Sequence, residues 1–412
     1  MGECFIILLM EKYFQQYIKI IRGKKMIYII SPFESKIEAR GTRNIELSNL
    51  LVKNGYEVTF ITSNFSHQIK SNYSTNDMYK KLTDEKYTSK ILDVPPYFSN
   101  LSLKRMITHI VFAYKMYKYL YKNIKYGDTV LTSSIPPELT LSIYLLKKKK
   151  NFNSIVDVRD IWPDAFPLKN NVIGKLFSFY CNFIYKMTLK SFDKIVYVAY
   201  SFDYWISKYT TNEEKVMISL GYDLERWKNI EYKSKSKEIN LIYIGNLSYQ
   251  FDISLIVDFV NRNSNYKFHI IGDGDTFNDI VNKSTTSKNM FYGRCSPDKV
   301  VEIASKADIA ILPIKEDSTA YMPNKLFDYL GASIPILSLG MNDSSKFIEN
   351  NDIGWIVKYD IDDITNLLLS ISSKDINLKY ENVSRIREDY SKDFIYKTFL
   401  DVIKSFENGE SK

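Results

Sequence analysis

The 412-residue sequence has little of what builds metal centres and disulfide frameworks. Its three cysteines, Cys4, Cys181 and Cys295, stand far apart, with no pair at metal-ligand or redox spacing. That excludes a zinc module and a disulfide scaffold, and it fits a reducing compartment. The three histidines, His67, His109 and His269, neighbour neither one another nor a cysteine, so imidazole-based metal chemistry is not encoded. No apolar run approaches the ~18–20 residues that cross a bilayer. The run from Cys4 to Met10 is short, is edged by Glu3 and Glu11, and lacks a small-residue cleavage site, so it reads poorly as a signal peptide.

What is present is an ordinary globular composition, 45% apolar and 25% charged, in a chain longer than one hydrophobic core usually supports. Two domains are expected. The net charge of +8 is unevenly spread: residues 1–200 carry 30 Lys+Arg against 16 Asp+Glu, and the remainder 26 against 32, so one half is +14 and the other −6. A basic half of this kind meets a polyanion or an anionic membrane surface, or is lysine-rich for solubility. Nucleic acid is not expected, because no helix-turn-helix, zinc module or aromatic β-platform accompanies the lysines.

From Met26 onward, short apolar runs alternate with helical stretches, the signature of a parallel sheet covered on both faces. "MIYIIS", a helix over "TRNIELSNLLVKN" closed by Gly55, and "YEVTFITS" make one complete βαβ unit. Strands follow at "KILDV", "TVLTSS", "SIVDVRD" and "KIVYVA". A lysine-rich stretch from Lys228 to Glu238 reads as a linker. The alternation restarts at "INLIYIGN" and runs through "KFHIIGDGD", "NMFYGRC", "ADIAILPI", "PILSLG" and "GWIVKY". The expected division is an extension over 1–25, a first domain over 26–227, a linker over 228–238, a second domain over 239–390, and a helix over 391–412 that crosses back to the first domain. The expected fold is α/β, two doubly wound domains facing across a cleft, with ligands beyond the carboxyl ends of the strands.

Two stretches carry chemistry. In "DVRDIWPDAF", Arg159 and Asp160 stand where a buried strand leaves the sheet, a costly place for charge unless it is paired or functional. In "MPNKLFDYLGASIPILSL", Pro323 suits the first turn of a helix, whose amides and dipole attract an anion, and Lys325 adds a full charge. Asp328, one turn deeper, is suited to the vicinal hydroxyls of a ribose. The pattern points to a nucleoside diphosphate; the structural alternative is a Lys–Asp surface pair. "GDGD", Gly272 to Asp275, contains a D-x-D but reads as a strand-to-helix turn, and it lacks the third glycine of a dinucleotide fingerprint. His109 and His269 read as packed residues.

"PNKLFDYLGASIPIL" resembles the donor-binding signature of family 4 glycosyltransferases with the GT-B fold, two Rossmann-like domains across a cleft. "DVRDIWPDAF" resembles the branch that builds bacterial surface polysaccharides. "ARGTRN", "ISLGYDLERW", "YIGNLSYQ", "IIGDGD", "MFYGRC" and "ADIAILPI" follow in the family's order over about residues 26–405. The resemblance implies a retaining transferase, independent of metal and of any cofactor. It would move a sugar from a nucleotide-diphosphate donor, a UDP-sugar in this branch, to a hydroxyl of a lipid-linked saccharide in O-antigen, capsule or exopolysaccharide assembly. The amino-terminal domain would hold the acceptor and the carboxy-terminal one the nucleotide. Lys325 would neutralise the leaving diphosphate and Asp328 would take the ribose in place of the family's glutamate. Gly41, Thr42 and Arg43 would approach the phosphates or acceptor, Arg159 and Asp160 would orient the sugar or acceptor hydroxyl, and Gly245 and Asn246 would admit the diphosphate close to the backbone.

Three departures stand out. The first acid of the family's pair is replaced by Ala320, with Glu316 and Asp317 upstream as substitutes. The arginine expected after Gly245 is Asn246, which leaves Lys325 with more of the phosphate charge, assisted by Arg294. The family's histidine near the fifth strand is replaced by Asp160 or a neighbour. A catalytically silent nucleotide-sugar-binding partner and a GT-B-shaped sugar-nucleotide 2-epimerase are the alternatives. Separately from the resemblance, Lys115, Lys118, Lys122 and Lys125 recur beside Tyr114, Tyr117 and Tyr121, and "LLKKKK" adds four lysines. This pattern suits a helix at an anionic lipid surface, hence a cytoplasmic protein peripheral to the inner membrane face; the alternative is a solvated face with the tyrosines packed on the sheet.

Overall fold

A computed structural model describes residues 25–34, 42–67, 69–74, 86–99, 102–165, 171–230, 238–315, 318 and 321–407. Gly41, Glu316, Asp317 and Ala320, most of the expected extension and the 231–237 part of the expected linker lie outside the described residues. The chain divides into two compact units: Met1–Tyr197 with Phe202–Val216 and Leu400–Lys412, and Val198–Ser201 with Met217–Phe399.

The first unit is built on β1 (Met26–Ile30), α1 (Arg43–Lys53), β2 (Glu57–Ser63), β3 (Thr88–Leu92), α2 (Leu103–Asn123), β4 (Thr129–Ser133), α3 (Pro137–Lys147), β5 (Asn153–Val158), α4 (Val172–Thr188), β6 (Lys194–Tyr197) and β7 (Lys215–Met217). The sheet order is β3-β2-β1-β4-β5-β6-β7. The central pairs are parallel, Ile27 opposite both Val58 and Thr129. Strands covered on both faces read as unbroken apolar runs. Ile27, Ile29, Ile30, Val130, Leu131, Ile155 and Val156 are accordingly buried. Helix α3 packs between α2 and α4.

The second unit begins with a single helical turn, α5 (Leu224–Trp227). It continues through β8 (Ile239–Ile244), α6 (Ser254–Arg262), β9 (Tyr266–Ile271), α7 (Phe277–Lys283), β10 (Asn289–Gly293), α8 (Pro297–Ala304), β11 (Ile309–Pro313), α9 (Asn324–Gly331), β12 (Ile336–Leu339), α10 (Asp343–Asn350), β13 (Gly354–Val357), α11 (Ile361–Ser370) and α12 (Ser373–Ile386). All six strands are parallel in the order β10-β9-β8-β11-β12-β13, so the order reverses between β8 and β11. In open parallel sheets that is where a ligand meets the carboxyl ends. The final helix, α13 (Lys392–Lys404), is divided at Phe399 and Leu400.

The stretch 217–227, expected in the first domain, belongs to the second unit. The reason is packing. Tyr222 and Trp227 are fully buried, and a Cβ added to Gly331 at the end of α9 would stand 2.6 Å from Trp227 Cδ1 and 2.7 Å from Tyr222 Cδ2. Only glycine lets the helix come that near. Gly331→Ala is therefore expected to destabilise the protein by about 1–3 kcal/mol, the usual cost of overpacking. A thermal-unfolding midpoint equal to that of the wild type would contradict this packing.

Candidate functional site

In the second unit the site grows from α9. Pro323 is its N-cap rather than part of its first turn, with φ −74° and ψ 161°. Extended backbone at that position is natural for proline and hands the helix its first carbonyl acceptor, taken by Leu326 N at 3.0 Å. Tyr329 fixes the helix on the sheet: its hydroxyl accepts from Ile244 N at 3.1 Å and donates to Ile311 O at 3.0 Å, tying α9 to β8 and β11.

Lys325, in the first turn of α9, is only 9% exposed. Its ammonium lies 3.4 Å from the centre of the Phe251 ring and 5.4 Å from that of Tyr243. It runs over Gly245, where φ is +144° and an added Cβ would come within 2.3 Å of Lys325 Cε. Gly245 is thus required twice, for its backbone angle and to leave room for the lysine. A cation at the positive end of a helix is repelled by the dipole, and cation–π contact offsets only part of that cost.

Asp328, one turn on, turns to α5. Its Oδ1 is 3.7 Å from Arg226 Nη1, and both side chains are about a quarter exposed. Burial raises the carboxyl's pKa, against the lowering pull of Arg226, Trp227, Lys392 and Lys325. Arg226 is itself set by the Asp223 cap, which accepts from Arg226 N at 3.3 Å, and by stacking over Trp227 at 4.8 Å. Asn246 is exposed, and its carbonyl accepts from Tyr243 Oη at 2.5 Å. Arg294 follows β10 at the surface, with Nε 3.5 Å from Asp273 Oδ2. The structure therefore brings Lys325 and Gly245 together and leaves Asn246 and Arg294 exposed to solvent. Asp273 and Asp275 lie in the turn after β9, where Asp273 Oδ1 accepts from Gly274 N at 2.8 Å. Among the described residues no three His, Cys, Asp or Glu are grouped to hold a metal. A cavity of about 260 Å³ lined by Asn240, Lys267, His269, Tyr292 and Lys299 opens at the amino ends of β8 and β9, a strand's length from Lys325.

In the first unit, four charged groups interlock beyond the carboxyl ends of β1 and β5. Arg159 Nη1 meets Glu34 Oε1 at 2.8 Å, and Arg159 Nε lies 3.6 Å from Asp157 Oδ2. Arg43 Nε is 3.4 Å from the same Asp157 oxygen. Glu34 also accepts from Asn44 N at 2.9 Å. Burial raises the Glu34 pKa, and Arg159 and Asn44 work against that rise. Arg43 is 6% exposed and Arg159 about a quarter exposed, so Arg159 is the more solvent-accessible of the two. Thr42 caps the approach to α1, its hydroxyl donating to Glu46 Oε1 at 2.6 Å. Asp160 does not pair with its neighbour as a strand-end pair would. Its Oδ1 accepts from Ile161 N at 2.9 Å, and burial raises its pKa against Arg105 and Arg159.

Around Asp160 is a layer without a sequence signal. Arg105 stacks over Trp162 at 5.0 Å and donates from Nε to His109 Nε2 at 3.4 Å. Tyr180 donates to Glu138 Oε1 at 2.7 Å, and Glu138 Oε2 is buried without a hydrogen-bond partner among the described residues. Glu34, Arg105, Glu138 and Arg226 were not among the expected site residues. Glu34 and Arg159 are separated by 125 positions, and neither helix nor strand periodicity links them. Arg226 did have a local signal, the aspartate cap in "YDLERW".

Comparison with known proteins adds likenesses. Residues 238–374 match the family model described as glycosyl transferases group 1. That match covers the second unit's sheet and the whole of α9. Protein CapJ of Staphylococcus aureus is 24% identical over 252 residues, 58% of this chain and 63% of CapJ, so the chain spans less than two thirds of that relative's length. Among solved structures, the lipopolysaccharide outer core galactosyltransferase WaaB is 18% identical with a TM-score of 0.63, covering 92% of this chain and 99% of WaaB. HepE of Anabaena, in complex with UDP and glucose, is 9% identical with a TM-score of 0.62, covering 93% of this chain and all of HepE. The fold is that of the GT-B glycosyltransferases, two Rossmann-like units.

Burial pushes the pKa of His109 down to about 3, with Arg105 and His67 adding to the shift. Between that value and the ordinary 6.5, the unfolded chain binds the proton and the folded one does not, so stability falls as pH drops below 6.5. The slope is at most about 1.4 kcal/mol per pH unit for this group. His109→Gln should gain on the wild type in unfolding midpoint between pH 7 and pH 5. A constant difference between the two proteins across that range would refute the assignment.

Proposed function

We propose that the protein is a retaining glycosyltransferase that moves a sugar from a nucleotide-diphosphate donor, a UDP-sugar, to a hydroxyl of a lipid-linked saccharide during bacterial surface-polysaccharide assembly. The observation that carries this reading is the buried Lys325 ammonium beside Gly245 at the start of α9. In the reaction the acceptor oxygen bonds to the anomeric carbon as that carbon's bond to the β-phosphate oxygen breaks; the diphosphate leaves with the bonding pair and takes up the acceptor hydroxyl's proton. Negative charge therefore grows on its oxygens in the transition state. Lys325 and the α9 amides meet that charge, and a contact that strengthens as charge develops accelerates the chemical step.

Asp328 accepts the ribose hydroxyls, held in place by Arg226. Pro323 starts the helix at the anion, Asn246 contributes its backbone beside Gly245, and Arg294 adds a second positive charge. From the first unit's sequence, Arg159 and Asp160 orient the transferred sugar or the acceptor hydroxyl, while Gly41, Thr42 and Arg43 approach the donor phosphates or the acceptor. Glu316, with Asp317 beside it upstream of Ala320, substitutes for the missing first carboxylate of the pair. The reaction so described draws its charge neutralisation from side chains and needs no divalent ion.

The enzyme reading competes with that of a silent nucleotide-sugar-binding partner, and one set of measurements separates them. UDP at 100 times its dissociation constant should stabilise the wild type by about 2.7 kcal/mol. Turnover of a UDP-sugar panel, by hydrolysis or transfer, should fall at least ~100-fold in Lys325→Ala, the scale of losing one oxyanion-type donor. Excess EDTA should leave the wild-type rate unchanged. UDP stabilisation with no turnover across UDP- and GDP-sugars would instead identify a silent partner, and wild-type turnover in Lys325→Ala would overturn the role of the lysine.

A further inference from the structure

Helices α2 and α4 both cover the first unit, and each wastes its best apolar residues on solvent. On α2, Leu103, Ile107, Ile110 and Tyr114 are exposed, Leu103 at 78%. Their spacing of four, three and four residues is that of one helical face. On α4, Val172, Leu176, Phe179 and Phe183 repeat the same spacing, with Ile173 beside them, and Val172 and Phe179 are 74% and 73% exposed. The buried faces are separate: Phe112, Met116 and Leu120 on α2, and Cys181, Ile184 and Tyr185 on α4. An amphipathic helix needs one apolar face to fold. These have two.

Charge follows the same plan on both helices. Beyond the apolar turns the exposed stripe continues as Lys118 and Lys122 on α2, and as Lys186 and then Lys190 after α4. Neither α2 nor α4 contains a single Asp or Glu. Two of the tyrosines of α2 face solvent: Tyr114 and Tyr121 are 57% and 48% exposed, and Lys118 lies 4.6 Å over the Tyr114 ring, while Tyr119 lies beside the sheet with Lys90 of β3 5.5 Å from its ring. Both helices start beyond the carboxyl edge of the sheet, so both apolar ends lie at the edge that bears Arg159 and Asp160. Trp162 connects them there, contacting Phe177 of α4 at 5.8 Å and Arg105 of α2 at 5.0 Å.

We propose that the outer faces of α2 and α4 form a bilayer-docking surface, whose apolar turns enter the headgroup–acyl boundary and whose lysines meet anionic headgroups. This rests on the reading of a lipid-linked acceptor, which it deepens by naming the face that meets the lipid. The surface lies at an interface and does not span it: among the described residues no helix is long and apolar enough to cross a membrane. A lipid surface fits better than a second copy of this chain. A two-fold pairing of these faces would bring same-sign lysine rows together with no acid on either helix to answer them, whereas anionic headgroups supply the missing charge.

The full-length protein, without nucleotide, is sedimented with vesicles of equal phosphatidylcholine and phosphatidylglycerol and with vesicles of phosphatidylcholine alone. The wild type should partition at least ~10-fold better to the anionic vesicles, less so as salt rises. Phe179→Glu/Phe183→Glu should lose at least ~10-fold of that partitioning while keeping its circular dichroism and its UDP thermal shift. Phe183→Trp should show a blue-shifted emission on the anionic vesicles, as insertion requires and surface adsorption does not. The proposal is overturned by a wild type that stays in the supernatant with both vesicle types, by a double variant that partitions like the wild type, by an unshifted Phe183→Trp emission, or by a wild-type dimer that the double variant makes monomeric. Lys325→Ala should bind vesicles as the wild type does. Vesicle binding without any UDP thermal shift in the wild type would therefore remove the glycosyltransferase reading and leave the docking surface standing.

Discussion

The second unit depends on a cation placed where it is electrostatically uncomfortable. Taking an ammonium out of water is costly, and the amino end of a helix adds repulsion. Lys325 accepts both conditions, stacked on Phe251 and Tyr243 and 9% exposed. An isolated structural lysine would leave such a position by extending into solvent, as its flexible stem allows. What prevents it is the surrounding geometry: Gly245 offers a trough without a side chain, and Tyr329 clamps the helix to β8 and β11.

The same clamp determines how Asp328 is presented. One turn deeper on α9, it is past the reach of the helix dipole's positive end and beside Arg226 of α5. Packing of Tyr222 and Trp227 against Gly331 sets the distance between α5 and α9. The position of the carboxylate is thus transmitted through two aromatic rings, which links a core contact to the orientation of a polar group.

How much of this was legible in the sequence follows the range of the interactions. Strands buried on both faces announce themselves as apolar runs, and β1, β5, β8 and β11 needed nothing more. Lys325 and Gly245 were legible because a helix start and a strand end each have local chemistry. The contact between them was not, since it joins residues 80 positions apart through a missing Cβ. Glu34 was invisible for the same reason, paired with Arg159 from a distant strand end. The boundary at 227 was misread because linkers are judged by composition, and "GYDLERW" looks polar although Tyr222 and Trp227 are among the most buried side chains in the chain.

Charge shows where sequence counting and structure differ in kind. Residues 1–200 hold 16 acids, a number that enters net charge on equal terms with 30 bases. In the folded first unit the acids are not on equal terms: Glu34, Asp128, Glu138 and Asp157 are all 6% exposed or less. Glu34 and Asp157 are spent on Arg43 and Arg159, and Glu138 on Tyr180, while Lys104, Lys118, Lys122, Lys175 and Lys186 of the outer helices all remain exposed. These four acids go inward, Glu34 and Asp157 beside the guanidiniums of Arg43 and Arg159, and the lysines stay outward because their hydrated ammonium keeps its water. The outer face is consequently more basic than the net charge implies. A surface potential of that sign, over helices that also display phenylalanine and leucine, is a property of folding and not of composition.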